Sequence, residues 1–544
     1  MTPPYLTLEG VAFDLPDGRR LFGPLDDTLD HRHTGLVGRN GAGKSVLARL
    51  LAGELLPSAG RCVRRGRVFY LPQHIARPPG LTVAGLAGVQ AEIDALARIE
   101  SGSTAVADYD TLADRWDIRE RLQHVLERND LPHLHHDTPA EQLSGGEAMR
   151  VALIGATLRE ADVLILDEPT NHLDRPGRIA LAEQLHRWAK GLLVISHDRR
   201  LLDGMARTLE LSPMGLRSYG GGYGFYAEQK ASEQASAQAH LAHCRLERRR
   251  EQHAQREQRE RLAQREARGQ RQGREANQAR ILLGRQKERS QQSAGRLKQQ
   301  HQMASEGLDQ QVREAALQLD AAPPVVLLAP PQAQSQNAAT PATRIVVELE
   351  GVVLPFAPPA TQRIDLTLRG RSRVGVIGPN GCGKSTLLKL LHGRIAPLAG
   401  RCAVHVPVAY LDQGLDSLPP QQSILEQLRH THPALADHAL RTRLALLGLG
   451  SDVIIQPSGR LSGGERLKGA LARVLHADPA PQLLLLDEPD NHLDFSALHA
   501  LVTLLQAYAG TLIVVSHDDR FLEALKLTDR LRATADGWRL EPAT

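Results

Sequence analysis

The stretch Gly38-Arg39-Asn40-Gly41-Ala42-Gly43-Lys44-Ser45 is built to hold phosphate, and Gly378-Pro379-Asn380-Gly381-Cys382-Gly383-Lys384-Ser385 repeats its pattern 340 positions later. Each follows a hydrophobic string (34–37 and 373–377) and precedes an apolar helical pattern. Glycines let the backbone wrap a polyphosphate, while its N–H groups and the helix start attract negative charge. Lys44 and Lys384 are placed to bind the β- and γ-phosphates, and the Ser45 and Ser385 hydroxyls to ligate Mg2+. Two acids, Asp167-Glu168 and Asp487-Glu488, end the apolar strings 163–166 and 483–486. Carboxylates there face the edge of a parallel sheet, where open α/β folds bind ligands. The aspartates are expected to position Mg2+, and the glutamates to polarise an attacking water. A plain strand-capping role fits poorly with a duplicated Asp-Glu-Pro. His197 and His517 each stand 30 residues beyond the aspartate, after a β-rich run, where a γ-phosphate contact is expected.

These residues need two copies of one scaffold, and the chain contains itself twice. Gln73 recurs as Gln413 at the same offset of 340, but Ser144-Gly145-Gly146-Glu147 recurs as Ser462-Gly463-Gly464-Glu465 at 318. The smaller offset places 22 extra residues between Gln73 and Ser144 of the first copy. The pattern over about 78–137 is helical, so the extra length enlarges a helical region, as either an arm or a neutral elongation. The apolar strings fit buried strands of a parallel sheet.

The 544 residues carry 66 Lys+Arg against 62 Asp+Glu, a net +4, with 42% hydrophobic residues, enough for real cores. The charge is uneven: residues 245–298 hold 17 basic and 7 acidic side chains, +10, leaving −6 elsewhere. This segment lies in a proline-free Gln/Arg/Glu/Ala-rich stretch, about 227–320, made of good helix formers. Glycines at Gly269, Gly273 and Gly284 suggest a helical hairpin with its tip near 269–285. A helix polar on every face is a solvated spacer, a scaffold of charged pairs or an arm on a polar partner. The excess of +10 favours the last, with Arg268, Arg271, Arg274 and Arg280 expected to meet that partner. Proline- and alanine-rich residues 321–343 read as a flexible linker.

No apolar run approaches the ~18 residues of a membrane span, and no signal-peptide pattern opens the chain. The four cysteines form no C-x-x-C pair, which argues against zinc ribbons, iron–sulfur clusters and disulfide scaffolds. The other 21 histidines show no convincing metal-ligand spacing. No membrane partner and a reduced, cytoplasmic setting are expected. Only 27 residues follow His517, so no long C-terminal nucleic-acid-binding extension is expected.

Together the motifs resemble the ATP-binding cassette superfamily. Leu-Ser-Gly-Gly-Glu is like its signature, Gln73 and Gln413 fall at its Q-loop, and His197 and His517 at its switch histidine. The forms Pro169-Thr-Asn-His-Leu-Asp174 and Pro489-Asp-Asn-His-Leu-Asp494, with the long charged linker, resemble the ABC-F subfamily. The resemblance implies an α/β fold with two tandem nucleotide-binding domains, 1–227 and 344–544, joined by a basic helical hairpin, 228–320. It implies Mg2+-dependent ATP hydrolysis at two composite sites in a monomer. Lys44, Gln73, Asp167, Glu168 and His197 would face Ser462, Gly463 and Gly464. Lys384, Gln413, Asp487, Glu488 and His517 would face Ser144, Gly145 and Gly146. Gln73 and Gln413 would join the Mg2+ shell. Members of the subfamily act on ribosomes, inserting the linker beside P-site tRNA, and differ between translation control and antibiotic resistance. The first-cassette insertion looks like their arm.

The chain departs from the pattern at Val46 and at Asp490, where threonine is usual. Phe13 and Phe356 are weak choices for stacking on adenine. Competing readings are a tandem ATPase subunit of a membrane importer and a DNA-repair or chromosome-organising cassette ATPase. Neither expects a charged hairpin between two complete cassettes.

Overall fold

Runs of leucine, isoleucine and valine with no polar interruption form the centre of each half. Strands Val163–Asp167, Gly191–Ile195, Leu483–Asp487 and Thr511–Val515 are buried at every position. That pattern suits a parallel sheet covered on both faces. The computed structural model describes the chain except residues 1–4, 172, 213, 276–302, 304, 317–342, 416–417, 432–434, 476, 478, 492 and 544.

The first cassette has a six-stranded sheet in the order Val68–Leu71, Val163–Asp167, Gly191–Ile195, His33–Gly38, Arg207–Ser212, Gly215–Gly220. All neighbours are parallel except the last pair. The second repeats the order with Val408–Leu411, Leu483–Asp487, Thr511–Val515, Arg373–Ile377, Asp529–Thr534 and Gly537–Pro542. A three-stranded antiparallel sheet accompanies each, centred on Leu6–Asp14 and on Ile345–Val353. The helix Lys44–Ala52 packs Leu47, Leu50 and Leu51 between these two sheets, and Lys384–Leu391 does so in the other half. Each phosphate-binding loop is thus anchored at a strand end and a helix start.

The extra residues of the first cassette are helical. Val83–Leu86, Gln90–Glu100, Val106–Leu112 and Ile118–Arg128 stand where the described residues of the second cassette form Ile424–Thr431 and Asp437–Leu446. They have their own core, in which Ile93, Leu96, Leu112, Leu122 and Leu126 pack against the signature helix Gly145–Leu158.

Residues 225–322 form a unit separate from 1–224 with 323–544. The helix Tyr223–Glu275 runs 53 residues, about 80 Å at 1.5 Å per residue. It continues through Gly269 and Gly273, where a turn was expected. Two glycines cost a helix about 2 kcal/mol, and the surrounding Arg, Gln and Glu residues are strong helix formers. A second helical stretch, 305–316, supplies Val312 and Ala315 to a small cluster with Leu241 and Cys244. Arg248 and Asp309 pair at 3.3 Å. The rest of the expected tip and the linker up to 342 lie outside the described residues. No described helix is long and apolar enough to cross a membrane.

Candidate functional site

Both phosphate loops have the backbone that their glycines permit. Gly41 and Gly43 have φ of 80° and 95°, and Gly381 and Gly383 have 77° and 101°. A Cβ on Gly43 would stand 2.8 Å from Leu21 and Phe22 side-chain carbons, so strain and crowding both select glycine there. Lys44 Nζ donates to the Gly38 and Arg39 carbonyls at 2.7 and 3.2 Å. Lys384 Nζ donates to those of Gly378 and Pro379, both at 2.9 Å. Burial lowers the Lys44 pKa, while Glu168, Asp494 and Asp167 oppose the shift.

Asp167 and Asp487 sit buried at their strand ends, where burial pushes both carboxyls up and the Ser45 and Ser385 hydroxyls oppose it. The Tyr70 and Tyr410 hydroxyls donate to Asp167 and Asp487 at 3.4 and 3.2 Å. Asp167 Oδ1 is buried without a hydrogen-bond partner. A serine hydroxyl beside such a carboxylate is the hard oxygen set that suits Mg2+. Bound with ATP, Mg2+ neutralises charge on the phosphates. Gln73 is half-buried, and Gln413 Nε2 donates to Glu488 Oε2 at 3.0 Å.

Glu168 and Glu488 both adopt φ of 49°, a left-handed backbone that is strained for glutamate. Their amides bond back to Ile195 and Val515 carbonyls at 2.8 and 2.9 Å, pinning each turn to the strand that leads to the histidine. His197 Nε2 and His517 Nε2 each lie 3.5 Å from the adjacent glutamate Oε1. The two glutamates differ electrostatically. Burial pushes Glu168 up to about 8, with Lys44 opposing. Burial acts on Glu488 too, but His517, Lys384 and the Asn491 amide hold it below its ordinary value.

The signature serines start helices. Ser144 N donates to Glu147 Oε2 at 2.8 Å and Ser144 Oγ accepts from Glu147 N at 3.3 Å, a reciprocal capping box. Ser462 and Glu465 repeat it at 2.9 and 3.4 Å. Glu147 and Glu465 therefore complete the helix start, leaving the Gly145–Gly146 and Gly463–Gly464 amides at a positive helix end.

Two further carboxylates escaped the sequence reading. Asp174 Oδ1 caps its own helix at the Gly177 amide (3.0 Å), while Oδ2 accepts from Asn380 N of the other cassette at 3.3 Å. Asp494 does the same with Ala497 N (2.8 Å) and Asn40 N (3.0 Å). Each thus links one cassette's acidic loop to the other's phosphate loop. Their place at the end of the repeated Asn-His-Leu-Asp was the available signal.

Asp490 packs beside Ser516, whose hydroxyl donates to it at 2.8 Å. Phe13 packs among the core residues with its ring 6.3 Å from Phe22, whereas Phe356 is 91% exposed. Val46 packs against the core, away from Mg2+ chemistry. Arg268 is exposed; the side chains of Arg271 and Arg274, and all of Arg280, lie outside the described residues.

A family model described as ABC transporter matches residues 29–171 and 361–491. The chain is 33% identical over 518 residues to "Tylosin resistance ATP-binding protein TlrC" of Streptomyces fradiae, covering 89% of each. It is 30% identical to "Probable ATP-binding protein YheS" of Escherichia coli K12, over 93% of this chain and 75% of that one. An archaeal ribosome recycling factor, aABCE1, solved with a ribosomal stalk protein, shares the fold at a TM-score of 0.56 and 18% identity. That match covers 98% of this chain and 89% of the other. Such cassettes bind ATP with Mg2+ and hydrolyse it. With two of them joined by a long helical linker, and with these relatives, the chain belongs to the ABC-F subfamily of ATP-binding cassette ATPases.

Proposed function

We propose that this ATPase acts on the ribosome: ATP closes its cassettes at two composite sites, and the interdomain linker enters near P-site tRNA. The carrying observation is the linker's charge, +10 over residues 245–298 of the sequence, together with the exposure of Arg245, Arg249, Arg250, Arg256, Arg261 and Arg268 on the helix Tyr223–Glu275. Such a row suits the phosphate backbones of tRNA and ribosomal RNA, with affinity that falls steeply as salt rises.

In this reading Lys44 and Lys384, with the Gly38–Ser45 and Gly378–Ser385 loops, hold the phosphates. Ser45, Gln73 and Asp167, and Ser385, Gln413 and Asp487, hold Mg2+. Glu168 and Glu488 orient the attacking water, and His197 and His517 reach the γ-phosphate. Ser144-Gly145-Gly146 and Ser462-Gly463-Gly464 complete each site from the opposite cassette. ATP favours the closed state because both halves contact it there, and hydrolysis removes that preference.

The first-cassette arm is proposed to touch the ribosome as well. Its Tyr109 and Trp116 rings lie 6.0 Å apart, both exposed, the tryptophan at 49%. The name of the Streptomyces fradiae relative favours a role in antibiotic protection as well as translation control. A ribosomal partner places the protein in the cytoplasm, acting as a monomer whose own cassettes pair.

The test is cell-free translation. Glu168→Gln with Glu488→Gln is expected to block peptide synthesis when ATP is present. Neutralising Arg268, Arg271, Arg274 and Arg280 in that variant should relieve the block while ATP binding stays within about twofold. Equal loss of ATP binding would contradict the separate roles of linker and cassettes.

A further inference from the structure

The two sites differ in what stands behind the histidine. His197 meets the Phe495 ring edge-on, with centroids 5.4 Å apart and an interplanar angle of 72°. Phe495 belongs to the opposite cassette and directly follows Asp494, whose carboxylate accepts from Asn40 N of the first phosphate loop. Tyr223 also packs on Phe495, with ring centroids 4.4 Å apart. The Arg199 guanidinium lies 5.4 Å from the Tyr223 ring centre and 5.6 Å from that of Phe495. Tyr223 is buried and is the first residue of the long helix Tyr223–Glu275.

Among the described residues, no ring packs on His517 as Phe495 packs on His197. By the 320-residue offset, Arg175 stands at the position of Phe495 and Asp519 at that of Arg199. Those two form an ion pair at 3.1 Å, which Arg200 joins at 3.2 Å. One site therefore has a ring packed on its histidine, and the other a charged pair.

We propose that Phe495 is a positioning residue for the first ATP site: its ring fixes His197 beside Glu168, and Arg199 and Tyr223 hold the ring in place. Edge-to-face contact restricts the imidazole's tilt without consuming its nitrogen hydrogen bonds. It forms only while the second cassette's Asp494 loop is seated on the first phosphate loop, so His197 is set by closure. The proposal rests on the reading of His197 as the residue that reaches the γ-phosphate.

Single-turnover ATP hydrolysis separates the two sites: Glu488→Gln leaves the first site to react, and Glu168→Gln the second. In the Glu488→Gln protein, Phe495→Ala and Phe495→Leu are expected to slow hydrolysis about tenfold. The half-saturating ATP concentration should move less than about twofold, and Phe495→Tyr should restore the rate. In the Glu168→Gln protein, Phe495→Ala should leave the rate within about twofold, since His517 has no ring behind it. Equal slowing at both sites, or a full rate with Phe495→Leu, would overturn the proposal, because general closure or simple packing would then suffice. His197→Ala in the Glu488→Gln protein checks the underlying reading. If it hydrolyses at the parent rate, the γ-phosphate role fails and the proposal with it. If it is slow while Phe495→Ala is fast, the positioning role alone fails.

Discussion

Asp490 stands where the first cassette has Thr170, and the exchange puts an acid into a pocket that otherwise needs only a hydroxyl. Thr170 and Ser196 approach at 3.3 Å in the first cassette; Asp490 accepts from Ser516 in the second. Asp490 Oδ1 is buried without a hydrogen-bond partner, and burial raises the carboxyl to about 7, with the Ser516 bond opposing. A raised folded value means that the folded state keeps a proton that the unfolded chain releases near pH 4. Stability from this group is therefore fully present below about pH 4, declines as pH rises towards 7 and stays reduced above, by at most roughly 4 kcal/mol. Asp490→Thr should melt at a higher temperature than the parent at pH 8, with a smaller gain at pH 5. An equal gain at both pH values would mean that the carboxyl is ionised throughout. At this scale the sequence showed which positions carry chemistry but not their surroundings. The roles of Asp174 and Asp494 depend on amides 206 and 454 residues away, and no local spacing encodes such contacts.

At the scale of elements, the helices that follow the two acidic loops start on aspartate caps that also reach the other cassette. Asp494 uses one oxygen for its helix and the other for Asn40, so the two tasks can be separated by substitution. Asp494→Ala removes both and should cost about 1 kcal/mol of stability, seen as a melting temperature lower by about 2–4 °C. Asp494→Ser keeps a capping oxygen but is too short to bridge as well, so it should melt near the parent while ATP hydrolysis falls. If the serine variant retains full hydrolysis, the bridge to the phosphate loop is dispensable. The central strands were legible because an unbroken apolar string bounded by an acid has few other uses. The helix through Gly269 and Gly273 was not, because glycine marks a break only where neighbouring residues do not favour helix strongly.

For the whole molecule, the ion pairs described between the two cassettes outside the sites are modest. Arg175 and Arg200 pair with Asp519, and Arg520 with Asp203 at 2.8 Å, all with partly exposed arginines. Such pairs contribute up to about 1 kcal/mol each and weaken with salt. In the proposed reading, nucleotide shared between the halves supplies the tight closure that these pairs do not. The small net charge of +4 conceals the division on which this reading depends, a basic linker joined to a mildly acidic ATPase body. Ribosome co-sedimentation of the Glu168→Gln, Glu488→Gln protein tests this most directly. The account predicts that it pellets with ribosomes in ATP, remains in the supernatant in ADP, and is released as salt rises. Pelleting with membrane vesicles while ignoring ribosomes in ATP would contradict it and favour the transporter-subunit reading.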